Sequence, residues 1–182
     1  MAERLEPYTL YFADEMRYGL ISNFRRSWSK IGERTVIDNQ QSFDNRYLFS
    51  AVSPVSGESF HLTSIDGFDS DAAYVFLTEL KKQHLTETVI VVWDNAPCHR
   101  PLTHREIDGL IVLFLPPYSP ELNPTERFFE ELRKSTANQI FTTIADQEVI
   151  IEQKLNELCD DRVAMKQLLG YEWILRQCGV VC

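Results

Sequence analysis

Three acidic residues, Asp14, Asp94 and Glu126, have the type and placement to do chemistry together. Asp14 follows the alternating, aromatic-rich "YTLYFA" and is in phase with Leu10 and Phe12, so it shares their face. Asp94 directly follows "TVIVVW", in phase with Ile90 and Val92. Both read as residues where strands stop, on faces that should be apolar. An isolated carboxylate there is costly unless a basic group or a bound cation compensates it. Carboxylates from separate elements suit Mg²⁺ or Mn²⁺, and two such ions about 3.5–4 Å apart can serve the attacking and leaving oxygens of a phosphodiester. Bound cations also reverse the local charge, so acidic residues are compatible with a nucleic-acid substrate.

Each carboxylate has a simpler reading. Asp14 or Asp94 alone could form a turn after a strand. Asn123 is a good N-cap, Pro124 suits the first helical position, and Glu126 falls at the third, so "NPTE" is by itself a capping box. What sets Glu126 apart is its approach. Pro116, Pro117, Pro120 and Pro124 lie in "LPPYSPELNPTERFFEELR", and each fixes φ and restricts the residue before it. A stiff lead-in of this kind places something on the following helix accurately. A glutamate cannot readily cap and ligate at once, so metal-bound and metal-free states are expected to differ there. Tyr118 and Ser119 are expected to shape this loop.

The elements that must position these residues follow from periodicity. "YTLYFADE" predicts a strand ending near Asp14, and "RYGLIS" and "RYLFSAVSP" predict two more, with a basic segment and the loop "DNQQSFDN" between them. "GESFHLTSI" predicts a further strand paired across "PVSG". "SDAAYVFLTELKKQH" has helical periodicity after a Ser/Asp cap. "ETVIVVW" and "LIVLFLP" are continuous apolar runs expected in strands buried on both faces, joined by a short helix or turn at "REIDG" closed by Gly109. Helices are expected at about 124–138, 145–160 and 162–169. The order of strands, α/β alternation and terminal helices predicts a mixed sheet covered by helices.

Gross composition bounds the rest. The chain has 182 residues, 44% hydrophobic and 25% charged, as in an ordinary globular domain, and is expected to be one domain. It lacks an apolar run long enough for a membrane span, and its charged start is unlike a signal peptide, so a cytoplasmic location is expected. Cys98, Cys159, Cys178 and Cys182 have neither zinc-site nor disulfide-scaffold spacing and are expected to be reduced thiols. The net charge of −9 disfavours a phosphate-binding surface in general. Between Arg17 and Arg34, however, Arg17, Arg25, Arg26, Lys30 and Arg34 face only Glu33, with Phe24 and Trp28 interleaved. That segment is either a solvated face or a DNA contact.

"YFADEMRYGL", "VVWDNAPCHR" and "LPPYSPELNPTERFFEELR" resemble, in order, the three signature blocks of DDE-superfamily transposases, in the bacterial insertion-sequence branch related to mariner elements. The resemblance runs from about Tyr8 to Arg133. It implies a ribonuclease-H-like core: a five-stranded sheet whose first three strands are antiparallel and last two parallel, flanked by helices. It implies Asp14, Asp94 and Glu126 as catalytic residues and ligands of two Mg²⁺ or Mn²⁺ ions. Partners implied are DNA, both element ends and target, and a second subunit in the active complex; the location becomes nucleoid-associated. Arg17, Arg25, Arg26, Lys30, Asn95 and His99 are candidate DNA contacts; Asn95 and His99 could instead orient a ligand, and a structural role after the strand is an equal alternative for each. The sequence departs from the family pattern in a shorter interval from Asp94 to Glu126 and in Thr125, where isoleucine is more usual. The expectation is of a catalytic domain without the family's N-terminal helix-turn-helix region, with end recognition possible from a separate polypeptide. Alternatives are an inactive transposase remnant or another ribonuclease-H-like nuclease, such as a junction resolvase.

Overall fold

The first strand, β1 (Tyr8–Ile21), is longer than its sequence pattern predicts: "YTLYFADE" and "RYGLI" form one continuous strand. In the computed structural model, which describes residues 7–33, 36–64 and 67–178, β1 is the middle of a five-stranded sheet ordered β3-β2-β1-β4-β5. Arg34 and Cys182 lie outside the described residues. Strand β2 (Gln41–Val52) pairs antiparallel with β1, and β3 (Ser59–Ser64) antiparallel with β2. Strands β4 (Thr88–Trp93) and β5 (Leu110–Phe114) are parallel to β1 and to each other. The mixed sheet expected from the family resemblance is the one observed.

Helix α1 (Ser70–Lys82) links the antiparallel and parallel halves. Asp69 caps it, its carboxylate accepting from the Asp71 and Ala72 amides, and its periodic apolar face buries Ala73, Phe76, Leu77 and Leu80. These pack on one face of the sheet against Tyr11, Ala13, Phe49, Val89, Val91 and Trp93. The opposite face is covered by α2 (Thr125–Thr136), α3 (Ile144–Asp160) and α4 (Arg162–Leu169). There Met16, Leu48 and Val52 meet Phe128, Phe129, Leu132, Ile151, Met165 and Leu169. Phe128 and Phe129 are fully buried, each contributing about 1.5–3 kcal/mol by transfer from water. Packing of that size, more than its cap, fixes α2 on the sheet. A last helix, α5 (Glu172–Gln177), carries Trp173 edge-on to Phe12, and Tyr171 before it lies under Arg127.

One expectation about burial does not hold. Strands β4 and β5 are not buried on both faces: their residues alternate in burial, and Ile111 and Leu113 of β5 are half-exposed. The helices of the second face lie over β1 and β2, and α1 covers only the first face. The turn before β5 does close at Gly109, whose φ of +67° suits glycine, and a single 3₁₀ turn at Arg100–His104 precedes it. Among the described residues no helix is long and apolar enough to cross a membrane, and Cys98, Cys159 and Cys178 are free thiols.

Candidate active site

Strand register brings the two aspartates together. Phe12 and Val92 are the last partners in the parallel β1–β4 ladder. Asp14 and Asp94 each lie two residues further on, so both project from the same face of adjacent strands. Only β4 stops here. β1 runs on to Ile21 paired with β2 alone, with Asp14 opposite Ser50. Asp14 is therefore inside a strand, not at its end, and the opening beside it is made by β4 leaving the sheet at Trp93.

The proline-rich segment closes this opening. Leu115 N still donates to Trp93 O at 2.8 Å, after which the chain turns through Tyr118, with φ +58°, and a short 3₁₀ turn at Pro120–Leu122. Asn123 and Thr125 then fasten the start of α2 to β1. Asn123 Nδ2 donates to Ala13 O at 3.0 Å and to Asp14 Oδ2 at 3.3 Å, and Thr125 Oγ1 donates to Phe12 O at 2.9 Å. The Asn123 Oδ1 accepts from Thr125 N at 3.1 Å, so Asn123 does cap the helix. The reciprocal half of a capping box is not formed: Glu126 Oε2 pairs with Arg133 at 3.4 Å. Freed from capping, Glu126 lines a cleft of about 390 Å³ whose wall also includes Asp14, Asp94, Asn95, Arg100 and Asn123.

Behind Asp94 lies His99, a candidate from the sequence, paired with Glu15, which the sequence did not single out. The His99 ring is fully buried, tilted on Trp93 at 4.4 Å between centroids and edge-on to Phe68. Its Nδ1 lies 2.6 Å from Asp94 Oδ1, and its Nε2 lies 3.0 Å from Glu15 Oε1. Glu15 is itself almost wholly buried, its side chain 6% exposed. Burial alone would lower the His99 pKa, but the hydrogen bonds to Asp94 and Glu15 outweigh it and raise it to about 10. The ring thus faces a carboxylate oxygen from each nitrogen, which favours its protonated form. It holds the Asp94 carboxyl below its usual range, while burial raises that of Glu15. The hint to Glu15 in the sequence is the doublet Asp14-Glu15: adjacent strand residues point to opposite faces, so the second carboxylate had to be accommodated beneath the first.

Asp14 has the opposite electrostatics. Burial first, then the nearby charges of Glu15, Glu126 and Asp94, push its carboxyl up to about 8, with partial relief from the Glu15 amide at 2.8 Å. A site that concentrates negative charge around oxygen donors from β1, β4 and α2 fits a hard divalent cation. The three carboxylates do not yet converge as expected. Among the described residues no three acidic, histidine or cysteine side chains stand close enough to hold an ion. Each is turned toward a protein donor instead: Asp14 to Asn123, Asp94 to His99 and the Ala96 amide, Glu126 to Arg133.

The candidate DNA contacts scatter. Asn95 lies in the carboxylate cleft. Of the alternatives for His99, direct DNA contact is closed, because the ring is buried with both nitrogens occupied, while its contact with Asp94 leaves the orienting role open. Arg17 is exposed on β1 and lines a separate groove with Arg133 and Gln147. Arg25 pairs with Glu130 of α2 at 2.9 Å, and its backbone is bracketed by Asn138, which accepts from Arg25 N and donates to Arg25 O. Arg26 and Lys30 are exposed in the same segment, beside a fully exposed Trp28.

Comparison with known proteins matches residues 9–148 to the DDE superfamily endonuclease family. The y4pE/y4sA protein of Sinorhizobium fredii (strain NBRC 101917 / NGR234) is 28% identical over 132 residues, which is 71% of this chain and 97% of that protein. The fold is similar to that of the Mos1 strand transfer complex, with a TM-score of 0.64 and 17% identity over 88% of this chain and 50% of that one. The Mos1 mariner paired end complex with Mn gives 0.65 and 17% over 88% and 51%, and a simian T-cell lymphotropic virus intasome 0.51 and 15% over 81% and 48%. The chain thus spans about half the length of the Mos1 chains it matches. With most of its length in the family match, and a ribonuclease-H-like sheet beneath the matched residues, the chain belongs to the DDE superfamily endonucleases.

Proposed function

We propose that this chain is the catalytic domain of a transposase, cutting phosphodiesters at the ends of a mobile element and joining the freed end to target DNA. The observation that carries this reading is the shared cleft of Asp14, Asp94 and Glu126, delivered by β1, β4 and α2. Two Mg²⁺ or Mn²⁺ ions held by these carboxylates would supply charge at the attacking and leaving oxygens. Asp14, within β1, and Asp94, directly after β4, provide the sheet side of the site. Glu126, on a helix anchored by Asn123 and Thr125, provides the third ligand after releasing Arg133. Hydrolysis breaks the bond to the 3′-oxygen, leaving a 3′-hydroxyl on one strand and a phosphate on the other. That hydroxyl then displaces a 3′-oxygen in target DNA, with the phosphodiester count conserved. Catalysis on this account is positioning and charge stabilisation.

DNA would approach over the cleft and the exposed segment carrying Arg26, Trp28 and Lys30, where cations meet phosphate and the indole can stack on an unpaired base. Arg17 and Arg25 would extend that surface, and Asn95 would contact the strand at the cut. Two subunits would act on paired ends. The test is Mn²⁺-dependent nicking of duplex DNA carrying the element ends, compared with Asp14→Asn, Asp94→Ala and Glu126→Gln. Loss of cleavage in each, with folding retained, is expected; cleavage unchanged in any one removes that residue from the site.

A further inference from the structure

On the reading that Asp94 is a metal ligand, we propose that Glu15 and His99 form a positioning relay, fixing Asp94 so that one carboxylate oxygen is held by the protein and the other is presented to the cation. The chain of contacts is short and largely buried. Glu15 Oε1 accepts from His99 Nε2 at 3.0 Å, and His99 Nδ1 donates to Asp94 Oδ1 at 2.6 Å. The same Oδ1 also accepts from the Ala96 amide at 3.2 Å, so both bonds fall on one oxygen and leave Oδ2 to the cleft.

The two ends of the relay differ in the way the role requires. The Asp94 side chain is 52% exposed, whereas those of His99 and Glu15 are 1% and 6% exposed. Asp94 follows the last residue of β4 and has no ladder partner of its own beyond it. Without a second anchor its carboxylate would sample several rotamers, and the entropy of fixing one would fall on cation binding. His99 cannot turn away, because Trp93 and Phe68 enclose its ring. Glu15 fixes the ring's other nitrogen from β1, the strand that also carries Asp14. The orientation of Asp94 is thereby referred to the strand that supplies its fellow ligand. Outer contacts of this kind typically alter metal affinity by 10–100-fold.

The test is Mn²⁺ binding to the full chain, followed through the paramagnetic resonance signal of free Mn²⁺, in Glu15→Ala, Glu15→Gln, His99→Ala, the Glu15→Ala/His99→Ala double variant and Asp94→Ala. Thermal melts establish that each is folded. Expected are affinities weakened about 10-fold or more in Glu15→Ala and in His99→Ala. The double variant should be no weaker than His99→Ala, because Glu15 acts only through the ring. Glu15→Gln should recover most of the loss, since its amide oxygen still accepts from Nε2–H. Should His99→Ala fail to fold, the contrast between Glu15→Ala and Glu15→Gln decides. Folded Glu15→Ala with the affinity of the unaltered chain overturns the relay, provided Asp94→Ala weakens binding. Unweakened binding in Asp94→Ala overturns the ligand assignment beneath it.

Discussion

The Asn123 side-chain amide donates at once to the Ala13 carbonyl, at 3.0 Å, and to the Asp14 carboxylate, at 3.3 Å, joining the start of α2 to the strand that carries the first aspartate. Its oxygen meanwhile accepts from Thr125 N. One buried side chain therefore sets the height of α2, caps it, and orients Asp14.

Replacing that amide separates these duties. Asn123→Ala strands a buried carbonyl and a buried helix amide, each costing about 1–3 kcal/mol, and a loss of about 2–6 kcal/mol in urea unfolding is expected. Asn123→Asp can still accept from Thr125 N but cannot donate to Ala13 or Asp14, and it adds a carboxylate to an acidic site. It is expected to be less stable than the unaltered chain at pH 8 and to regain stability on addition of Mn²⁺.

Asp14 makes the cost of the site visible without any substrate. Its carboxyl is raised to about 8 from an ordinary 3.8, so the folded chain takes up a proton that the unfolded chain has lost. Stability from this group is fully present below pH 3.8 and is lost as pH rises through 8. Asp14→Asn removes the titration. The variant is expected to melt higher than the unaltered chain at pH 9 in the absence of divalent ions, and to lose most of the melting-temperature rise that Mn²⁺ gives. Equal melting at pH 9 would count against a crowded carboxylate cleft.

On the same face of the sheet as Asp14, two strands away through Ser50, His61 provides an acid limit of its own. Its ring is stacked on Phe128 at 5.1 Å between centroids, with Nδ1 2.9 Å from Ser50 Oγ and Nε2 3.4 Å from Cys159 Sγ. Burial lowers its pKa from 6.5 to about 4. A lowered histidine contributes stability that is present above pH 6.5 and lost as pH falls through 4, by up to about 3 kcal/mol. Urea unfolding at pH 7 and pH 4.5 should show this loss, and His61→Phe should lessen the difference between the two pH values.

Much of the site was legible in the sequence because its main determinants are local. A carboxylate follows "TVIVVW", and the prolines around "NPTE" stiffen one helix start, so local pattern marked Asp94 and Glu126 as candidates and the signature blocks set them above turn and cap. Asp14 was legible for its phase but misplaced at a strand end. Where a strand stops depends on its partners, and β2 continues beside β1 after β4 has left. The half-exposed face of β5 was equally hidden, because an apolar run does not say whether a helix will cover it.

Periodicity, turn chemistry and signature blocks by themselves determined the family and the mixed sheet flanked by helices, and drew attention to three acidic residues, since each is written in neighbours a few positions apart. Only the tertiary structure decided that Glu15 and His99 meet behind Asp94, that Asn123 reaches across to Ala13, and that Arg133 occupies Glu126. Such contacts join residues far apart in the chain through sheet register and helix packing, and no local spacing encodes which oxygen a distant side chain will find.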